Sequence, residues 1–257
     1  MLSIDLTGRV ALVVGGSRGI GGGLTETLAA AGARVTFTHT GDPARRQGVE
    51  ALLGRLAAAG TSATGVAVDA GDAAGMESCV ADLVAAQGKL DILVHNVGRN
   101  QARPAEQVTL EEWRHFLDLN LTSAFISVHA VLPSMLRAGY GRIILIGSSA
   151  VYSGSGGAID YAAAKAGLQG MAAYLTRAYA RRGLLTNIIH PCVIETELLR
   201  ERYADETARA ALVAQIPAGR LGRPQDIAGL VAYLASPWGD YICGQSFLVD
   251  GGRTQFQ

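Results

Sequence analysis

The chain has 257 residues, enough for one larger α/β domain, and 49% of them are hydrophobic, enough for a sizeable core. Its 22 basic and 22 acidic side chains cancel, which speaks against a nucleic acid as the main partner, since a phosphate polymer favours a basic face. Cys79, Cys192 and Cys243 lie far apart and the five histidines are scattered, so neither a disulfide framework nor a metal site is predicted.

The N-terminal stretch MLSIDLTGR carries Asp5 early and lacks the charged-then-apolar pattern of a targeting segment. No uninterrupted apolar run approaches the ~20 residues of a membrane span. A cytoplasmic protein without membrane or nucleic-acid contacts is the expectation. The first strand is RVALVV (9–14), followed by glycines and a helix through Ala31. RVTFT (34–38) is the second strand, and a helix rich in Ala and Leu follows over 43–59. TGVAVD (64–69) is the third strand, a helix covers about 73–87, and LDILVHN (90–96) is the fourth strand.

A long helix begins near Thr109, where Thr109 and Glu112 match a capping box, and Pro133 inside it predicts a kink. GRIILIG (141–147) is a strand, 159–182 a long helix and LLTNII (184–189) another strand. The charged stretch 197–217 has no clear assignment. A helix over 224–235 and the strand SFLVD (246–250) close the chain. Apolar strands alternating with helices predict an α/β fold: one doubly wound domain over 1–257, with a parallel sheet of about seven strands covered on both faces.

VGGSRGIGGG (14–23) follows the first strand and opens a helix. Gly15 allows a tight turn, Gly19 lets the backbone approach a pyrophosphate, and Gly21 permits close helix packing. The helix N-terminus then offers N–H donors to phosphates. A tight loop without a ligand is the alternative. Gly22 and Gly23 each cost up to ~1 kcal/mol of helix propensity, which suggests close contact with a cofactor or a neighbouring strand.

GGSRGIG (15–21), HNVG (95–98) and YAAAK (161–165) together resemble the short-chain dehydrogenase/reductase family. The resemblance extends through GRIILIGSS (141–149), NIIHPCVIET (187–196), GRPQDIAGLVAYLAS (222–236) and GQSFLVDGG (244–252), and so covers essentially the whole chain. It is nearest to the bacterial branch that includes the 3-oxoacyl-carrier-protein reductases.

Tyr161 and Lys165 are four apart on a predicted helix and share a face, so the ammonium is expected to lower the phenol's pKa. Such a tyrosine exchanges protons nearer neutral pH. Ser148, just past a strand, is placed to orient a substrate carbonyl. The resemblance puts the catalytic serine thirteen residues before the tyrosine, which gives Ser148, with Ser149 the runner-up. It also assigns Asn120 to a water that relays protons to the lysine. The implied catalytic set is therefore Asn120, Ser148, Tyr161 and Lys165.

The implied cofactor contacts are Gly15, Ser17, Arg18, Gly19, Ile20, Gly21, His39, Thr40, Asp69, Asn96, Gly98, Ile194 and Thr196, with Tyr161 and Lys165. Asp69 has a competing role as a helix cap. His95 stands where the family carries a bracing Asn, which puts that brace in question, and Cys192 stands for a usual Gly. Val14 and Cys243 each replace a usual Thr. The strand end that holds an acid in NAD sites carries His39 and Thr40, and Arg18 matches a base of NADP-using members. NADP(H) is predicted over NAD(H), with Asp42 as the competing feature. NADPH in turn favours reduction of a ketone, β-ketoacyl or similar. The alternatives are an alcohol or sugar dehydrogenase working oxidatively and a non-catalytic cofactor sensor. Ser148, 151–159 and a lid over about 197–217 are expected to wall the substrate. Arg177, Arg181 and Arg182 suit either an acidic carrier protein or a helix C-terminus. The resemblance implies a homotetramer, with a dimer second.

Overall fold

In the computed structural model, residues 3–154, 157–203 and 205–254 are described. β1 (Val10–Val14), β4 (Ile92–His95) and β5 (Gly141–Ile146) are buried along their whole lengths, as runs of Val, Ile and Leu dictate for strands covered on both faces. With β2 (Arg34–His39), β3 (Ala63–Ala67), β6 (Leu184–Pro191) and β7 (Ser246–Val249) they form one sheet in the order β3-β2-β1-β4-β5-β6-β7. Every pairing is parallel.

Alternation along the strands feeds two cores. Ala11, Val13, Ile92, Val94, Ile144 and Ile146 face one side, where α1 (Gly19–Ala30), α2 (Arg46–Ala58) and α10 (Pro224–Ala235) pack. Val10, Leu12, Val14, Leu93, Ile143 and Leu145 face the other. There α3 (Ala73–Gln87), α5 (Ser123–Ala138) and α7 (Ile159–Tyr179) cover the sheet, with a single turn, α6 (Ala150–Ser153), between β5 and α7. The chain reverses its direction of winding between β1 and β4, which opens a crevice at the carboxyl ends of these strands.

α4 (Leu110–Leu117) begins at the expected Thr109–Glu112 capping box. Pro133 lies inside α5, but the irregularity that matters is earlier: a wide π turn over Asp118–Thr122 joins α4 to α5 and carries Asn120. Because that turn keeps the chain helical, 110–138 forms a helical run long and apolar enough to cross a membrane by length and composition, unlike the uninterrupted apolar stretches of the sequence. Here its apolar side is spent on the core through Ala124, Val128, Val131 and Met135. The unassigned stretch after β6 contains two helices, α8 (Glu197–Arg202) and α9 (Glu206–Ala214), each started by a side-chain cap, from Thr196 and Asp205.

The two extra glycines of α1 differ: neither meets a strand, and only Gly23 is explained by a close contact within the protein. A Cβ on Gly23 would stand 2.5 Å from the Cβ of Pro224, where α1 crosses α10, whereas one on Gly22 would meet nothing closer than 3.8 Å. Gly22→Ala should therefore raise stability by up to about 1 kcal/mol through helix propensity. Gly23→Ala should lower it by about 1–3 kcal/mol through overpacking. Urea denaturation of the two variants would reveal the opposite signs.

Candidate active site

The crevice is floored by the turn that leaves β1. Gly15 has φ +74°, and a Cβ there would press 2.9 Å from Val97 Cγ2. Three side chains brace this turn. Thr38 Oγ1 accepts the Gly15 N–H (3.2 Å), the Thr25 hydroxyl donates to Gly16 O (2.9 Å), and Asn96 Nδ2 donates to Gly15 O (3.0 Å). Asn96 thus anchors the turn, while Thr25 and Thr38 were not singled out from the sequence. α1 then starts at Gly19 with no side-chain cap and no acid in its first turn, so no carboxylate of the helix's own first turn opposes an anion there. A backbone cradle that a Cβ would fill, followed by an uncapped helix N-terminus, fits the pyrophosphate of a dinucleotide. Gly19 faces Thr196, whose Cγ2 would lie 3.1 Å from an added Cβ, and Ile194 is buried beside Gly222. Gly19, Ile20, Thr196 and Ile194 therefore lie along one side of the crevice, with Ser17 in the turn itself.

The four candidate catalytic residues converge from three elements. Ser148 follows β5, Tyr161 and Lys165 lie one turn apart on α7, and Asn120 sits in the π turn. The Ser148 hydroxyl stands near enough to the Tyr161 phenol to favour the phenol's charged form. Ser149 is instead a buried residue whose carbonyl accepts the Tyr152 N–H (2.9 Å). Lys165 Nζ donates to Val97 O (3.2 Å) and Ile146 O (3.0 Å), so two of its three donors are engaged by carbonyls of neighbouring strand ends. Its Nζ stands 5.9 Å from the centre of the Tyr161 ring. Asn120 Nδ2 donates to Arg99 O and Phe116 O, both at 3.0 Å, and its Oδ1 accepts the Arg99 N–H (3.1 Å). A Cβ on Gly98 would meet Asn120 Oδ1 at 2.8 Å and Lys165 Nζ at 2.9 Å, so only glycine lets these two approach.

The electrostatics depart from the expectation based on spacing alone. Burial pushes the Tyr161 phenol above its ordinary value, and the neighbouring Ser148 hydroxyl only partly opposes this. Burial also pulls Lys165 down to about 8. Desolvation disfavours both charged forms, so the tyrosine is held as a neutral phenol: a proton donor first, a base second.

His95 is buried and pushed down to about 3, by desolvation first and then by the Lys165 charge. Its Nδ1 lies 3.1 Å from Ser127 Oγ and its Nε2 3.3 Å from Ser123 Oγ. Both hydroxyls are also placed to donate to carbonyls, Ser123 to Leu119 O (2.7 Å) and Ser127 to Ser123 O (2.9 Å), so the neutral imidazole donates to one serine and accepts from the other only when that hydroxyl turns from its carbonyl; in either arrangement His95 links β4 to the start of α5. His190, quoted above only as part of a motif, lies fully buried on β6 beneath Ser148. Its Nδ1 is 3.0 Å from Ser148 O and 3.2 Å from Ser148 N, and its ring stands edge-on to Tyr152 at 5.2 Å.

At the far end, Arg18 is exposed at the N-cap of α1. His39 Nδ1 accepts the Gly41 N–H (3.1 Å), which leaves the neutral ring's proton on Nε2; Thr40 beside it is exposed. Asp42 is occupied locally, accepting from Ala44 N (2.9 Å) and pairing with Arg45 at 3.6 Å. Asp69 is exposed and accepts Gly71 N (2.8 Å); the cap of α3 is Asp72, not Asp69, because Asp72 directly precedes the helix and reaches Gly75 N (3.0 Å). Cys192 Sγ accepts from Arg253 (3.4 Å), and Cys243 lies 3.8 Å from the Thr176 hydroxyl. Of the substrate wall expected over 151–159, positions 155–156 lie outside the described residues, as does 204 in the lid stretch.

Residues 14–254 match the family profile described as Enoyl-(Acyl carrier protein) reductase. The 3-oxoacyl-[acyl-carrier-protein] reductase FabG of Escherichia coli (strain K12) is 41% identical over 249 residues, which cover 97% of this chain and 98% of that protein. The 2,3-dihydroxy-2,3-dihydro-p-cumate dehydrogenase of Pseudomonas putida is 36% identical over 254 residues, 98% of this chain and 96% of that one. Among solved structures, a short-chain dehydrogenase/reductase from Serratia marcescens aligns with a TM-score of 0.87 and 35% identity, covering 97% of this chain and 99% of that one. A structure from Beutenbergia cavernae, provisionally described as an NAD(P) dependent gluconate 5-dehydrogenase with bound NADP at low occupancy, aligns with a TM-score of 0.89 and 34% identity, covering 99% of this chain and 100% of that one.

Proposed function

Because the chain belongs to the short-chain dehydrogenase/reductase family, we propose that it reduces a ketone to a secondary alcohol with NADPH, Tyr161 serving as proton donor. The observation that carries this reading is the convergence of Tyr161, Ser148 and the buried Lys165, whose Nζ is held by Val97 O and Ile146 O and stands 5.9 Å from the centre of the Tyr161 ring. A nicotinamide cofactor, when bound, supplies the hydride to the carbonyl carbon. The two hydroxyls hold the carbonyl oxygen and orient the carbon, and the oxygen takes its proton from Tyr161 as negative charge develops on it. The Lys165 ammonium on the same helix face stabilises the phenolate left behind. Asn120 holds the segment after Gly98, the glycine against which Lys165 packs. The FabG relatives are named for 3-oxoacyl groups on acyl carrier protein, so a β-ketoacyl thioester is the proposed substrate class. Exposed Arg177 in the last turn of α7, with Arg181 and Arg182 just beyond it, suits an acidic carrier.

NADP is proposed over NAD because no acid is free at the end of β2. Asp42 is consumed by its own turn, while Arg18 and the His39 Nε2 donor remain to meet a 2′-phosphate. The chain is proposed to work as one domain with α8 and α9 as the substrate lid. Arg200 at 3.2 Å and Arg209 at 2.5 Å both bind Glu195, which ties the two helices to the segment after β6 that leads into Thr196. A homotetramer is proposed through α5 and α7, where Phe125 and Tyr174 leave large apolar side chains exposed.

Fluorescence titration with NADPH and NADH tests the cofactor, and turnover in both directions on ketones, enoyl thioesters and alcohols tests the reaction. NADPH should bind more tightly, by about 10-fold or more, and Arg18→Ala should remove most of that preference. Tighter NADH binding would refute the cofactor assignment. Reduction of an enoyl thioester in place of the ketone, or oxidation alone, would redirect the reaction.

A further inference from the structure

We infer that Asp160 and Arg103 form a positioning pair for Tyr161, an inference that rests on the reductase reading above. Asp160 directly precedes Tyr161 and is fully buried. Its Oδ1 accepts the Tyr161 N–H at 2.6 Å and its Oδ2 accepts Arg103 Nη2, also at 2.6 Å. Arg103 has only a tenth of its side chain exposed; its guanidinium lies over the Phe116 ring at 4.8 Å, and its Nε is 3.8 Å from Glu112.

Such a pair is an expensive way to begin a helix. The first-turn N–H groups of α7 need acceptors, and an exposed Ser, Thr or Asp cap normally supplies them. Here the N-cap is Ala158, which offers no side chain. A buried carboxylate takes over, and it costs several kcal/mol unless a cation compensates it. That cost is borne one residue from the proton donor.

The pair also links two parts of the site. Arg103 ends the segment 99–103, and the segment's first residue, Arg99, is held at both its N–H and its carbonyl by Asn120. One end of the segment is thus bound to the π turn and the other to α7. Asn120 and Tyr161 come from different elements, and this segment fixes their relative placement. Arg103 also neutralises a carboxylate that would otherwise oppose negative charge on Tyr161. The other charged or titratable groups near the reacting phenol are Lys165 on α7 and, beyond it near Lys165, His95 of β4 and His190 of β6; Glu112 of α4 faces Arg103.

The test compares wild type, Arg103→Met, Asp160→Asn and the double variant as full chains. It reads NADPH affinity, kcat and KM for an acetoacetyl thioester, and the Tyr161 titration followed by NMR of ring-labelled tyrosine. The Tyr161 resonance is assigned by its loss in Tyr161→Phe. Arg103→Met should lower kcat about 10–100-fold while NADPH affinity stays within about twofold. It should also move the Tyr161 titration up by about one pH unit. Asp160→Asn should move that titration down, and the double variant should return it towards wild type. Unchanged kcat and titration in the folded variants would overturn the pair. So would losses confined to thermal stability and cofactor binding with the titration in place. Should Arg103→Met fail to fold, the isosteric Asp160→Asn carries the same readouts. A wild type that reduces no ketone would defeat the reductase reading, and the titration would still decide the pair.

Discussion

Replacing Tyr161 with Phe is expected to lower kcat for ketone reduction by about 10²–10⁴-fold, the usual worth of a positioned general acid. The ring keeps its shape and only the hydroxyl goes, so the fold should survive, and NADPH affinity should fall only by what the Tyr161 hydroxyl contributes, because the turn after β1 is untouched. Ser148 loses a hydroxyl neighbour but keeps the backbone contacts that hold it, with His190 beneath. The same assay against pH separates the two titratable members of the site. Lys165 titrates at about 8, and its ammonium stabilises the phenolate that forms as the proton leaves. Reduction by the wild type should therefore decline as pH rises through about 8, while Tyr161, held above its ordinary value, is still protonated. A Tyr161→Phe enzyme retaining more than a tenth of wild-type kcat would rule out Tyr161 as the proton donor.

Gly21→Ala is expected to abolish cofactor binding at ordinary concentrations. A Cβ at Gly21 would run into the carbonyl oxygen of Gly15 and stand 2.8 Å from Asn96 Nδ2, the amide that clamps that same carbonyl. The first obstacle is backbone, so nothing flexible can swing aside, and the turn must move away from α1. Overpacking of this kind costs about 1–3 kcal/mol or more. A displacement of the phosphate cradle by even part of an ångström adds lost hydrogen bonds to that. A loss of about 3 kcal/mol corresponds to roughly a 100-fold rise in Kd for NADPH. Near wild-type affinity in a folded Gly21→Ala protein would mean that the turn does not hold the pyrophosphate.

The positions found most directly in the sequence are those whose meaning is local. Gly15, Gly19 and Gly21 announce a strand-to-helix turn by spacing, and Tyr161 and Lys165 share a helix face because they are four apart. The Val and Ile runs of β1, β4 and β5 give a buried parallel sheet. What escaped the sequence was long-range. Arg103 and Asp160 are 57 positions apart, and Ser148 and His190 are 42 apart. The π turn at Asn120 widens a helix that reads as regular, and Thr38 supports Gly15 from an adjacent strand.

The Tyr161 pKa shows the same division in energetic form. Spacing placed a cation beside the phenol and predicted a downward shift. The packed structure surrounds both groups with low-polarity protein, and burial acts on each more strongly than they act on one another. By itself, the order of residues determined the alternation of strands and helices, the glycine turn between β1 and α1 and the shared helix face of Tyr161 and Lys165, because periodicity and backbone sterics act between near neighbours; Ser148 and Asn120 were singled out through the family resemblance. Only the tertiary structure decided which carbonyls hold Lys165, which carboxylate sits behind Tyr161, and which protonation state the phenol keeps. Those depend on desolvation and on contacts across the sheet, which exist only once the chain has packed.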